Sequence, residues 1–256
     1  MRRIYASVLP IAAVISLACT SNPQTESSAA SSTTTTTTTS STTNNMPMEG
    51  ARAVAGGGIS AAGWTGRIDP GEAKRGQVLS NAKLASEGSG LHVTTGPAVA
   101  YWNPLNTASG NYTVKATFTE PKYMNVNDHP HPYGIFIAGN DMGTDQQTYL
   151  YCAAYGSGTF IVRGFGPDPF QLNGRGGASN PAVHKAAAAG SPVTQDIAVS
   201  VAGDKVSCSI NGTVVASYNK AAVVGAGKLK STDGVYGVRF AHNTDGVVSG
   251  LTVTKP

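Results

Sequence analysis

Charge is scarce in this chain and nowhere clustered. Of its 256 residues 12% are charged, with a formal balance of +4, and no basic stripe marks the electrostatic footprint that a nucleic-acid partner requires. Nucleic-acid binding is set aside on that ground. Glutamate stops at Glu120, so beyond that point only aspartates can supply a carboxyl pair for acid–base chemistry. Asp141, Asp145, Asp168, Asp233 and Asp245 all fall in expected turns or loops, where aspartate ordinarily serves local hydrogen bonding. Three cysteines and no His-x-x-x-His spacing leave a structural zinc site short of its usual four ligands. No apolar run approaches the roughly 20 residues of a membrane-spanning helix. Phosphate loops, cofactor motifs and nucleophile elbows are also missing.

What is present begins with a processing signal. Arg2 and Arg3 precede a short apolar run, residues 8–18, interrupted only by Pro10 and Ser16; this is the pattern of a secretory signal peptide. The run closes on Leu17-Ala18-Cys19, which resembles the cleavage box of bacterial lipoprotein signals. It departs from that box at Ser16, where the family usually has leucine. The resemblance implies a signal peptide over 1–18 and acylation of Cys19, with palmitate among the chains, and two or more chains make a stable membrane anchor. The alternative is an ordinary secretion signal with a coincidental cysteine. Residues 19–50 are dominated by serine and threonine, including seven consecutive threonines at 33–39. Such a stretch buries too little apolar surface to offset its ordering entropy. It reads as a disordered tether with a reach on the order of 30 Å. The expected location is the bacterial cell envelope, extracytoplasmic and lipid-anchored. Without Arg2 and Arg3 the charge balance falls to +2.

Residues 51–256 read as one all-β domain. No long helical period appears; short alternating runs separated by turn residues appear instead. In residues 112–118 Tyr112, Val114, Ala116 and Phe118 share one face and Thr113, Lys115 and Thr117 the other. Ile197, Val199 and Val201 point one way along 196–202, as do Val206, Cys208 and Ile210 along 205–210. Asn211-Gly212 is a strong hairpin signal, because both residues tolerate the positive φ of a type I′ turn. Residues 156–158 join strands expected at 149–155 and 159–165, and further strands are expected at 133–139, 235–241 and 251–254. PAVHKAAAAG, residues 181–190, is the one stretch with a helical turn or two. Many antiparallel strands of this length argue for a two-sheet β-sandwich, monomeric by expectation.

The order YGIFIAGND, QQTYLYCAAYGSGTFIVRGFG, DIAVSVAGDKVSCSINGTVVASY and TDGVYGVRFAHNTDGVVSGLTV resembles the concanavalin A-like jelly roll. It is most similar to bacterial laminin G-like and 3-keto-disaccharide hydrolase-like domains, over residues 60–255. The resemblance implies a jelly-roll fold and a sugar ligand. The glucanases of that superfamily carry Glu-x-Asp-x-x-Glu on one strand, a motif this chain lacks, so their mechanism is not expected. Keto-disaccharide chemistry stays open, with no catalytic residue assigned.

The candidate sugar site lies on one face of the sandwich. Alternation leaves Tyr149, Tyr151 and Tyr155 opposite Leu150 and Cys152, sets Arg163 against Phe160 and Val162, and sets Arg239 against Tyr236 and Phe240, the neighbours of Val238. His242 and Asn243 follow that last strand, His131 precedes another, and Trp102 is a further wall. Aromatic faces with a few fixed donors suit the CH patches and hydroxyls of a sugar. The plain alternative is the wet face of a sheet. The 164–170 loop caps one end.

His129 and His131, each followed by proline, are held extended, roughly 7 Å apart, too wide for easy chelation. They read as a stiff lead-in to the strand at 133–139 rather than as a metal clamp. Asp141 and Asp145, with Asn140, are weak candidates for structural Ca2+ without the order of acids that an EF-hand requires. Cys152 and Cys208 are an even pair that bridges if the two lie on neighbouring strands, since opposed sheets sit about 10 Å apart. No cofactor is expected. The reading is a membrane-anchored carbohydrate-binding module; a sugar-processing hydrolase in the same groove and an envelope protein-interaction role are the alternatives. A carboxyl pair in the groove would favour the hydrolase.

Overall fold

The computed structural model describes residues 50–127 and 129–256; the expected signal peptide, Cys19 and the linker to residue 49, with Asp128, lie outside the described residues. Two antiparallel sheets face one another, as the alternating patterns require. Sheet I runs, in spatial order, β1 (Gly58–Ile59), β3 (Lys83–Glu87), β4 (Gly90–Thr94), β16 (Asp245–Thr254), β6 (Tyr112–Glu120), β12 (Val193–Ala202), β13 (Lys205–Ile210) and β14 (Thr213–Asn219). Only β1 joins it in parallel. Sheet II runs β10 (Pro169–Gln171), β9 (Thr159–Phe165), β8 (Thr148–Tyr155), β7 (Tyr133–Asn140), β15 (Gly234–Phe240), β5 (Val99–Ala108) and β2 (Thr65–Ile68), with β11 (Ala178–Ser179) paired to β9. The only α-helices among the described residues are short: α1 (Pro70–Lys74) and α2 (Lys220–Val223). No described helix is long and apolar enough to cross a membrane.

The sequence periods translate into layers. Val114 and Phe118 of β6 and Ile197, Val199 and Val201 of β12 are buried against Ile135, Ile137, Leu150, Val238 and Phe240 from sheet II. Phe118 spans the gap, its ring centroid 5.9 Å from Tyr133 and 6.0 Å from Phe240. Asn211 and Gly212 turn the β13–β14 hairpin with φ of 49° and 81°, the positive pair that a type I′ turn demands.

One expectation fails, and another is met by a route that the spacing argument excludes. PAVHKAAAAG forms no helix. The His184 amide donates to Gln195 Oε1 at 3.0 Å, and the Ala186 amide donates to the Gly156 carbonyl at 2.8 Å. Those tertiary bonds override the propensity of the alanines, which is only a weak prior. Cys152 and Cys208 form a disulfide between β8 and β13, which are opposed strands and not neighbours, with Cα atoms 5.9 Å apart. The usual inter-sheet spacing of about 10 Å reflects large interdigitating side chains; where two short cysteines face each other the backbones can close in.

Glu120 ends β6 in a buried position, and its Oε1 accepts from the Met124 amide at 3.4 Å. Burial, with the Asp245 charge adding to it, pushes its pKa up to about 7 from an ordinary 4.5. The folded state therefore keeps a proton that the unfolded chain has released between these values, and stability falls as pH rises through that window. Glu120→Gln is expected to remove this decline, gaining on the order of 2–3 kcal/mol over the parent at pH 8 and little at pH 4. Urea melts at the two pH values check it; a parent whose midpoint does not fall between them would refute the assignment.

Candidate functional site

The outward residues of sheet II carry a second apolar cluster, with Phe136, Tyr149, Tyr151, Ala153, Ile161 and Phe165 buried on the side away from the main core. Part of this face stays open as a cleft of about 400 Å³. Tyr151, Tyr155 and Ile161 line it, Arg163, Phe165, Pro169 and Gln171 form one wall, and Asp69, Glu72, Arg239, His129, His131 and His242 form the other parts. A depression of about 300 Å³ continues it between α1 and the β9–β10 hairpin.

The acidic side of the cleft comes from the segment Asp69-Pro70-Gly71-Glu72. Asp69 precedes α1, whose first position is a proline, and its side chain makes no cap bond. That carboxylate reaches across to β15, where Arg239 Nη2 donates to Asp69 Oδ2 at 2.5 Å. Arg239 is itself 5% exposed, and its Nη1 donates to the carbonyls of Val99 at 2.9 Å and Phe240 at 2.5 Å. Its guanidinium carbon lies 5.5 Å from the centre of the Tyr151 ring, a cation–π distance. Burial works against the charge of Arg239, but Asp69 and then the Tyr149 and Tyr151 phenols outweigh it and hold the cation. Burial raises the pKa of Asp69 and Arg239 opposes that rise. Glu72 is also buried, with Oε2 3.1 Å from Arg75 Nη2.

Histidines close the other end. His131 Nδ1 donates to the His242 carbonyl, and His131 Nε2 lies 2.7 Å from His129 Nε2. The His131 and His242 ring centres are 4.0 Å apart. Within this trio one nitrogen from each ring lies within 4.8 Å of the others. Among the described residues it is the one cluster of three or more histidine, cysteine or carboxylate side chains close enough to share an ion. Burial, the His129 charge and then Arg75 and Arg239 push His242 down to about 4, so it is neutral at physiological pH. The wide separation expected for His129 and His131 is not observed: His129 is a bend ahead of β7, and the two rings converge with centres 4.3 Å apart.

Of the sequence candidates, Tyr151, Arg163, Arg239, His131 and His242 meet in this cleft. Tyr149 and Trp102 do not. Tyr149 is wholly buried beneath the cleft, its ring 5.0 Å from Phe165 and 5.1 Å from Phe136. Trp102 is buried in the same cluster, next to Met142 and Gly143 of the 141–147 loop. Alternation tells the outward face of the sheet correctly, but it cannot tell which part of that face the loops cover. Asn243 is fully buried and works as a strut. Its Oδ1 accepts from the Arg52 amide at 3.1 Å, its Nδ2 donates to the Gly50 carbonyl at 3.4 Å, and its amide donates to the Gly96 carbonyl at 2.9 Å. The residues named for calcium each have a partner on the protein. Asp141 pairs with Lys230, Asp145 with Arg67, and Asn140 Nδ2 donates to the Asp233 carbonyl at 2.9 Å. Sequence reasoning misses Asp69 and Glu72, whose Pro-Gly spacing signals only a turn.

No protein-family model and no curated protein sequence matches the chain. Solved structures do. A carbohydrate binding module, CBM66 from Bacillus subtilis, aligns with a TM-score of 0.50 at 9% identity, over 78% of this chain and 99% of the module. The two share a fold. A Bacillus subtilis protein of unknown function with a galectin-like fold aligns at 0.49 and 14% identity, over 75% of this chain and 89% of its own. An endo-β-galactosidase from Clostridium perfringens that releases GlcNAcα1-4Gal aligns at 0.42 and 10% identity, over 72% and 56%. At these identities the likeness speaks for the β-sandwich alone.

Proposed function

We propose that the cleft on sheet II binds carbohydrate, and that the protein does so at the outer side of a bacterial membrane, held by acylated Cys19. One observation carries the binding reading. The cleft is lined by aromatic rings together with the charged side chains of Asp69, Arg163 and Arg239, each of which also holds, just beneath the cleft surface, one polar atom without a hydrogen-bond partner among the described residues: Oδ1, Nε and Nε respectively. Buried polar atoms are normally paired. A ligand that satisfies this mixture carries donors and acceptors side by side with CH surface, as the ring of a sugar does. The CBM66 module, which shares the fold, is named for carbohydrate binding, which fits the proposal. The described large apolar side chains that are exposed, Val78 ahead of a short 3-10 turn, Leu105 on β5 and Val214 on β14, belong to separate segments and do not favour an assembly surface.

A glycan array with the purified protein tests the reading. For a ligand so found, Tyr151→Ala and Arg163→Ala are each expected to cost at least about 2 kcal/mol, roughly 30-fold in Kd, as central aromatic and arginine contacts do. Unchanged affinity in both variants would move the ligand elsewhere, and an array without any hit would end the carbohydrate reading. A second reading rests on Asp69 and Glu72 standing in one cleft, the carboxyl pair that glycoside hydrolysis uses. Turnover of the bound glycan, abolished by Glu72→Gln with binding retained, would replace the module with a hydrolase.

A further inference from the structure

The geometry points to a divalent transition-metal site formed by His129, His131 and His242, of the zinc class, with its fourth coordination position open to the cleft. Three imidazoles and one exchangeable position is the ligand set of a catalytic or ligand-receiving zinc rather than a structural one, and imidazole suits zinc, copper and nickel better than calcium or magnesium. All three rings line the cleft, so a metal held between them faces the same space as Tyr151 and Arg239. An oxygen of water or of a bound ligand is the fourth donor that this position accepts.

The surroundings are built as those of a metal site are. A carbonyl only accepts, so the bond to the His242 carbonyl fixes the proton of His131 on Nδ1. In the neutral ring that leaves the Nε2 lone pair directed at His129 and the centre of the trio. A ligating histidine whose other nitrogen donates to a carbonyl is the usual outer-shell arrangement. Pro130 and Pro132 stiffen the backbone on either side of His131. The Ala241 amide donates to the Pro132 carbonyl at 2.9 Å, tying the two ligand-bearing segments together.

Binding a metal asks for adjustments: His129 gives up the Nε2 proton that it shares with His131, and His242, placed within 4.8 Å of the other two, turns to bring its nitrogen to bonding distance. His129 and His131 present Nε2 atoms 2.7 Å apart, whereas two nitrogens on a tetrahedral zinc at 2.0–2.1 Å stand about 3.3 Å apart. The opening of about 0.6 Å falls on His129, which is exposed on a bend, and leaves the buried His131 in place.

The test uses the purified protein without a polyhistidine tag, stripped with chelator and titrated with Zn2+ against a chromophoric competitor. One equivalent is expected to bind. His129→Ala and His242→Ala are each expected to weaken it by more than the roughly 10–100-fold that losing a single outer-shell bond costs. His184→Ala, a histidine away from the cleft, is expected to leave it unchanged. Exposed His129 can be replaced without disturbing the core, so its variant stays informative even if His242→Ala misfolds. Co2+ absorption in place of zinc reports nitrogen coordination directly. Binding that survives His129→Ala undiminished, or a parent with no affinity above that variant, overturns the site. Because the readout is the metal itself, a failed glycan array leaves this result standing.

Discussion

Replacing both bridge cysteines, in Cys152→Ala/Cys208→Ala, is expected to lower the unfolding free energy by about 4 kcal/mol. The figure follows from the loop that the disulfide closes. The cysteines are 56 residues apart in sequence, and confining a loop of that length in the unfolded chain is worth about 4 kcal/mol on the chain-entropy scale. The loop contains β9, β10, β11 and β12, so the restriction joins the middle of sheet II to sheet I rather than stapling a hairpin. Both cysteines are at most 2% exposed; a reductant acts on them only as fast as the domain opens. Denaturant melts of the parent and the double variant, with thiol counts under native and unfolded conditions, check this. Equal midpoints, or two free thiols in the unfolded parent, would remove the bridge from the account.

Arg239→Ala is expected to cost about 3–5 kcal/mol and, on the proposed reading, to abolish ligand binding as well. One side chain supplies three bonds here, to Asp69 and to the carbonyls of Val99 and Phe240. Its loss strands a buried carboxylate, and breaking a buried pair from one side typically costs about that much. Removing both partners is a different matter. In Asp69→Leu/Arg239→Met no charge is left behind, so the double variant is expected to be more stable than Arg239→Ala although it retains less of the native pair. The single variant also deepens a pH signature: burial already raises the Asp69 pKa against the pull of Arg239, and without that cation the rise is larger, so the decline in stability as pH rises above the ordinary carboxylate range is greater than in the parent. A double variant no more stable than the single one would show that the pair contributes through packing and not through charge.

Much of this fold is legible in the order of residues alone. Alternation along β6, β12 and β13 marks which side chains face inward, and Asn211-Gly212 announces its turn, because strand period and positive φ are local properties. The same rule puts Tyr151, Arg163 and Arg239 on the correct side of sheet II. What alternation cannot carry is coverage. Tyr149 and Tyr151 share a face, yet one is wholly buried and the other lines a cleft, because the covering comes from segments remote in sequence. Asp69 is hidden for a related reason: its partner Arg239 is 170 positions away, and Asp-Pro-Gly-Glu has the composition of any turn. The histidines mislead through geometry. Proline restricts the residue before it toward extended backbone, but two such residues close together need not form a strand, and His242 arrives from the far end of the chain.

The anchorage of Asn243 has a mechanical side. Gly50 and Arg52, where the described chain begins, are bonded to it, and it is the residue after His242. A pull exerted through the chain from its N-terminal side is therefore delivered to the histidine end of the cleft. Further along the chain Gln77 Nε2 holds the Ala51 carbonyl at 2.9 Å, the Val54 amide donates to the Asn81 carbonyl at 3.1 Å, and β1 pairs in parallel with β3. On the proposed reading of an anchored, ligand-binding domain, such a pull would reach Asn243 and, through it, its neighbour His242 at the cleft.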